Sequence, residues 1–120
     1  MRIAVVSIAY SPVSREPLQR LFDALYESGT DICLYAPFSE LIRDEIMLYG
    51  KISTFTDDTL PAVDYVFSVG GDGTLLHAVG IVKDSGIPIL GINTGRLGYL
   101  TSASVNEIRD VIGALRAGDI

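Results

Sequence analysis

The stretch Tyr65-Val66-Phe67-Ser68-Val69-Gly70-Gly71-Asp72-Gly73-Thr74 decides how this chain folds. Its first half is a β-branched and aromatic run of strand length. It passes directly into a glycine-rich turn, and a helix is expected from Thr74 to about Lys83. A strand handed to a helix through such a turn is the unit from which parallel sheets with covering helices are built.

Outward from this stretch, strand and helix signals alternate to both ends. Arg2–Ala9 is a continuous apolar run, as in a strand covered on both faces. Leu18, Leu21, Phe22, Leu25 and Tyr26 follow at helical spacing, with Gly29 at the helix exit. Asp31–Ala36 reads as a short strand and Pro37–Leu48 as a weaker helix. Lys51–Thr56 is either a short edge strand or a loop, and Asp57–Val63 is a turn-rich connection. After the decisive stretch come a strand at Pro88–Ile92 and a loop at Asn93–Ser102. Ser104-Val105-Asn106-Glu107 has the pattern of a capping box, in which the Ser hydroxyl and the Glu carboxylate serve each other's backbone N–H groups. The helix behind it carries Ile108, Val111, Ile112 and Leu115 and stops near Gly118. The fold class is therefore α/β: a doubly wound, mostly parallel sheet with helices on both faces.

Composition narrows the function. The chain has 120 residues, enough for one domain with a core of its own. Nine Lys and Arg against 15 Asp and Glu leave a net charge of −6, which argues against a nucleic-acid binder needing a basic face. No apolar run approaches the roughly 20 residues that span a bilayer. The first residues have the flavour of a short signal peptide, but a buried first strand fits them better, so the cytoplasm is the expected compartment. A single Cys33 and a single His77 exclude an internal disulfide, a Cys-rich metal site and a two-histidine metal site. Cys33 reads as a small buried hydrophobe.

Eight of the twelve glycines lie between residues 70 and 98, chiefly in two clusters that each follow a strand. Open parallel sheets bind ligands at the carboxyl ends of their strands, so the clusters suit two walls of one site. In the first cluster, Gly70, Gly71 and Gly73 allow unusual backbone angles and close approach, and the helix start at Thr74 favours phosphate. Asp72 would then accept a proton from an attacking hydroxyl or help to hold a divalent ion. The plainer alternative is a tight turn in which Asp72 or Thr74 only caps the helix. The loop is neither GxGxxG nor a P-loop, and the first turn, Ala9-Tyr10-Ser11-Pro12, has no glycine, which disfavours a Rossmann dehydrogenase. In the second cluster, Asn93 and Thr94 offer short polar groups, Arg96 suits a phosphate, and Tyr99 and Leu100 suit packing against a base. The plainer reading makes Arg96 a surface charge and Tyr99 core. His77, three residues after Thr74, is placed in the first turn of the helix, facing ligand or simply packing.

Gly70-Gly71-Asp72-Gly73-Thr74 followed by Gly91-Ile92-Asn93-Thr94-Gly95-Arg96-Leu97-Gly98-Tyr99-Leu100 resembles the NAD kinase family. GGDGT also occurs in lipid kinases of the diacylglycerol and sphingosine type, and phosphofructokinases have a relative of it; the second segment is more particular to NAD kinases. The resemblance implies a Rossmann-like, phosphofructokinase-like N-terminal domain and phosphorylation of the 2′-hydroxyl of the adenosine ribose of NAD. It implies ATP as donor, or polyphosphate in some members, together with a divalent metal ion such as Mg or Mn. It implies Asp72 as proton acceptor, Gly73 and His77 against NAD, and Leu76 and Tyr99 along the adenine and ribose pocket. In the family a later Asn-Glu or Asn-Asp pair and a β-rich domain complete the site and the oligomer contacts. The last residues, Leu115–Ile120, read as a helix exit entering a further element, so residues 1–120 are expected to be the N-terminal part of a longer protein and to be nearly inactive alone. A GGDGT lipid kinase and a non-catalytic nucleotide-binding module are the competing readings.

Overall fold

The computed structural model describes residues 1–94 and 103–118. Six strands, β1 (Arg2–Val6), β2 (Asp31–Tyr35), β3 (Ile52–Phe55), β4 (Tyr65–Val69), β5 (Ile89–Asn93) and β6 (Ala103–Ser104), alternate with four α-helices, α1 (Arg15–Glu27), α2 (Ala36–Leu41), α3 (Asp72–Val82) and α4 (Ile108–Ala117). The strands form one sheet in the order β3-β2-β1-β4-β5-β6, with every neighbouring pair parallel.

The register follows from burial. In β1, Ile3, Ala4, Val5 and Val6 have no exposed surface, because helices cover both faces of the sheet's centre. β1 pairs β2 through Ala4 and Cys33, and β4 through Ala4 and Val66. Cys33 is buried and free, as expected. Leu18, Leu21, Phe22 and Leu25 turn α1 toward this core. Tyr26 does not join them; it lies at the rim of the stripe, half exposed, with its ring 5.7 Å from that of Tyr49. α1 packs against α4 and against the segment after α2, where Met47 N–H donates to Gln19. These elements share one face. α3 lies against β4 and β5, and the right-handed connection running the other way along the sheet puts it on the opposite face.

The element boundaries differ from the sequence reading in places. The first strand ends at Val6 rather than Ala9, where the Ser7 hydroxyl donates to the Ala9 carbonyl and the chain turns away. The second helix stops at Leu41 instead of Leu48. Ile42 and Ile46 are both buried at a four-residue spacing, so a turn there has the same apolar pattern as a helix. Residues 52–55 are an edge strand, which resolves the strand-or-loop choice. Ala103 and Ser104 pair with Ile92 and Asn93 as a sixth strand that sequence reasoning missed, since two residues carry no period of their own. The capping segment is present, with both the backbone N–H and the hydroxyl of Ser104 donating to Glu107 Oε1 at 3.3 and 3.1 Å. Gly118 ends α4 in the left-handed conformation.

Candidate functional site

The chain leaves β1 toward β2 and leaves β4 toward β5, so the two neighbouring central strands send their loops in opposite directions. A crevice opens where they part, at the carboxyl edge of the sheet. There the loop of residues 70–74 meets the buried Ser7 at the end of β1, whose Oγ would lie 3.8 Å from a Cβ on Gly70.

The three glycines of this loop serve different ends. Gly70 sits at φ +140°, and a Cβ there would fall 2.9 Å from Thr74 Oγ1 and 3.8 Å from Ser7 Oγ. Its N–H donates to the Ile92 carbonyl at 2.9 Å, tying the loop to β5. Gly70 is therefore required by the fold. Gly71 and Gly73 have ordinary backbone angles and open space where a side chain would stand. Neither strain nor packing explains them, whereas close approach by a ligand does. Stability should separate the two kinds. Gly70→Ala is expected to cost about 1–3 kcal/mol from its backbone angle alone. Gly73→Ala, on an exposed helical turn, should be neutral or stabilising by up to about 1 kcal/mol. Denaturant unfolding of both variants checks this; equal losses would show that the loop is a structural turn throughout.

α3 starts at Asp72, two residues earlier than expected, with Gly71 as its N-cap and no side-chain cap. The helix thus begins inside the glycine loop, with Gly71 rather than Asp72 or Thr74 at the N-cap position. Thr74 is buried beneath Gly70, where its hydroxyl shapes the loop. Asp72 is half-buried as the first helical residue, at the positive end of the helix dipole. Leu76, one turn on from Asp72, is 65% exposed, which a packing role within this domain does not explain. His77 lies in the second turn of α3 rather than the first, one turn from Gly73. Asn93 is buried at the end of β5, and Thr94 Oγ1 lies 3.4 Å from the Ser14 hydroxyl near the start of α1. Arg96 and Tyr99 lie outside the described residues.

Besides Ser7, sequence reasoning missed Tyr35 and Asp57 at this edge. Tyr35, the last residue of β2, is buried, and its hydroxyl donates to Asp57 Oδ1 at 2.5 Å, two residues past β3. His77 Nε2 lies 2.9 Å from the same hydroxyl and 3.3 Å from Asp57 Oδ1. Burial, and then the Asp57 carboxylate, push the Tyr35 phenol up to about 12. The Tyr35 hydrogen bond, with smaller help from His77 and Lys83, holds the Asp57 carboxyl below its usual range. No local signal marks these residues, because only the sheet brings them together.

The carboxyl edge therefore gathers Asp57, Tyr35, Ser7, the Gly70–Thr74 loop and Asn93 from the ends of five adjacent strands. Among the described residues no three His, Cys, Asp or Glu side chains cluster as metal ligands. No helix of the described residues is long and apolar enough to cross a membrane.

The model of the ATP-NAD kinase N-terminal domain family matches residues 17–120. The chain belongs to the NAD kinase family. It is 37% identical over 112 residues to the NAD kinase of Bacteroides fragilis, covering 93% of this chain and 39% of that one. It is 48% identical over 102 residues to the NAD kinase of Gemmatimonas aurantiaca, covering 85% and 34% respectively. The chain spans about two fifths of the length of curated relatives that it matches. An Archaeoglobus fulgidus NAD kinase in complex with ATP superposes with a TM-score of 0.61 at 30% identity, over 98% of this chain and 38% of that one. Yeast NADH kinase complexed with NADH gives a TM-score of 0.78 at 20% identity, over 98% and 38%, and attests the fold. Membership in the NAD kinase family sets aside the lipid kinases that share GGDGT.

Proposed function

We infer that residues 1–120 are the N-terminal nucleotide-binding domain of an NAD kinase that transfers a phosphoryl group from ATP to the 2′-hydroxyl of the adenosine ribose of NAD. The observation that carries this reading is the open backbone of Gly71 and Gly73 on either side of Asp72, at a helix start on the sheet's switch point. Phosphoryl transfer asks a protein chiefly for alignment and a carboxylate to orient the hydroxyl. In this reading the 2′-oxygen attacks the γ-phosphorus, the bond to the ADP oxygen breaks, and the hydroxyl proton passes to Asp72. Gly73 lets the ribose approach, and the exposed Leu76 and His77 face the nucleoside. Arg96, Asn93 and Tyr99 complete the phosphate and base contacts.

The family's divalent ion neutralises phosphate charge when bound. The described residues supply no three-ligand set for it, so no step here runs through it. In this reading, as the family resemblance implies, the remaining site residues, the oligomer contacts and a β-rich second domain lie in a longer chain, and the cytoplasm is the compartment this reading favours. The test is to incubate the complete protein with NAD, ATP and Mg²⁺ and to read NADP with an NADP-specific dehydrogenase. The complete protein should form NADP and residues 1–120 alone should stay at background. Saturable NAD binding by the complete protein without NADP formation would replace the enzyme with a binding module.

A further inference from the structure

His77 does not stand alone at the sheet edge, and its neighbours determine which face of its ring a ligand meets. The Tyr35 hydroxyl has a single hydrogen, and its 2.5 Å distance to Asp57 Oδ1 assigns that hydrogen to the carboxylate. The Tyr35 oxygen can then only accept from His77, at 2.9 Å. Nε2 of His77 must carry the hydrogen of this contact. In the neutral ring Nδ1 is consequently the acceptor. The tilt of 58° between the Tyr35 and His77 rings, with centroids 5.4 Å apart, holds the imidazole against the phenol. Tyr35 is itself held by burial and by Phe55, 5.6 Å away. A helical side chain covers the turn before its own Cα. For His77 that turn contains Gly73, which offers open space.

We propose that Tyr35 and Asp57 are positioning residues that fix the Nε2–H tautomer of His77 and present Nδ1 as an acceptor for an N–H or O–H donor of the nucleoside bound at the Gly71–Gly73 loop. This rests on the kinase reading for the identity of the nucleoside, but the tautomer does not depend on it. Tyr35 and Asp57 touch no reacting atom in this scheme. Their effect passes through His77 alone.

The experiment uses the complete protein with Asp57→Ala, His77→Ala and the double variant. Asp57→Ala, at an exposed residue, leaves the buried Tyr35 ring in place, removes the carboxylate that also lies 3.3 Å from Nε2, and frees the Tyr35 hydroxyl to donate to Nε2 or to accept from it. Long-range ¹⁵N–¹H correlation spectra, with the His77 signals assigned by their loss in His77→Ala, should show the Nε2–H form in the wild type and a mixture of tautomers in Asp57→Ala. NAD affinity should weaken about tenfold in Asp57→Ala, with kcat and the KM for ATP within twofold. In the His77→Ala background the same change should have no further effect on NAD affinity. An Nδ1–H tautomer or an imidazolium in the wild type overturns the proposal, as does an Asp57→Ala loss that persists without His77. Unchanged NAD affinity in Asp57→Ala overturns it too. If the wild type forms no NADP, the kinase reading fails separately, and the tautomer and NAD-binding results still decide this one. Tyr35→Phe combined with Asp57→Ala removes both partners of Nε2 and repeats the test, and the same outcomes apply to it.

Discussion

Asp72→Asn in the complete protein is expected to lower kcat by about 10²–10⁴, the usual contribution of a general base. The KM for NAD should move by no more than a few-fold and the fold should survive. Asparagine keeps the size of aspartate and an oxygen that can accept a hydrogen bond from the 2′-hydroxyl. It loses the negative charge and cannot take up the proton. Alignment is retained and only the proton's destination is removed, which is why the loss belongs in kcat. The local structure permits a clean test, because Asp72 is half-buried as the first residue of α3 and is not its N-cap. Losing a negative charge at a helix start costs about 0.3–1 kcal/mol, too little to unfold the domain. Steady-state kinetics beside a thermal unfolding curve decide the matter. Turnover within tenfold of the wild type would remove Asp72 from the role of proton acceptor and leave it as a binding group.

Phe67→Ala should be the most destabilising single truncation in the central strands, by about 3–5 kcal/mol. Phe67 has no exposed surface and sits at the middle of β4, paired with Val5 on β1 and Leu90 on β5. Removing its ring leaves a cavity between elements that are tied on both sides and cannot close over it. Since a domain of this kind has on the order of 5–15 kcal/mol of net stability, this loss is a large share of the whole. Thr54→Ala, on the exposed edge strand β3, is the control and should stay within roughly 0.5 kcal/mol. Urea unfolding midpoints compare the two. A loss below about 1 kcal/mol for Phe67→Ala would mean that the sheet relaxes around the gap and that the core is less tightly specified than its burial indicates.

The sequence legibly carried whatever local chemistry imposes. Continuous Val and Ile runs fitted strands covered on both faces, and Leu18, Leu21, Phe22 and Leu25 fitted one side of a helix. The glycine loop was legible because three glycines around an acid exceed what a turn needs, and the structure sorts them into one of conformational necessity and two of open approach. Tyr26 shows the limit of such patterns, since a residue at the rim of an apolar stripe is placed by whatever lies beside it, here Tyr49. Ile42 and Ile46 show it again, with a turn and a helix burying the same pair of side chains.

What only the tertiary structure decided is whatever depends on strand order. Sequence alternation implies a parallel sheet but not that β1 and β4 become neighbours, and that adjacency creates the crevice. The two-residue strand β6 exists only because β5 offers it an edge. Tyr35, Asp57 and His77 are 20 to 42 residues apart and share no motif; they meet because β2 and β3 end, and the helix after β4 begins, at one edge. Proximity across a sheet is a long-range property, set by which crossovers bury the most apolar surface. Short-range propensities hold no record of it, so the motif was legible in the chain while its neighbours at the sheet edge were not.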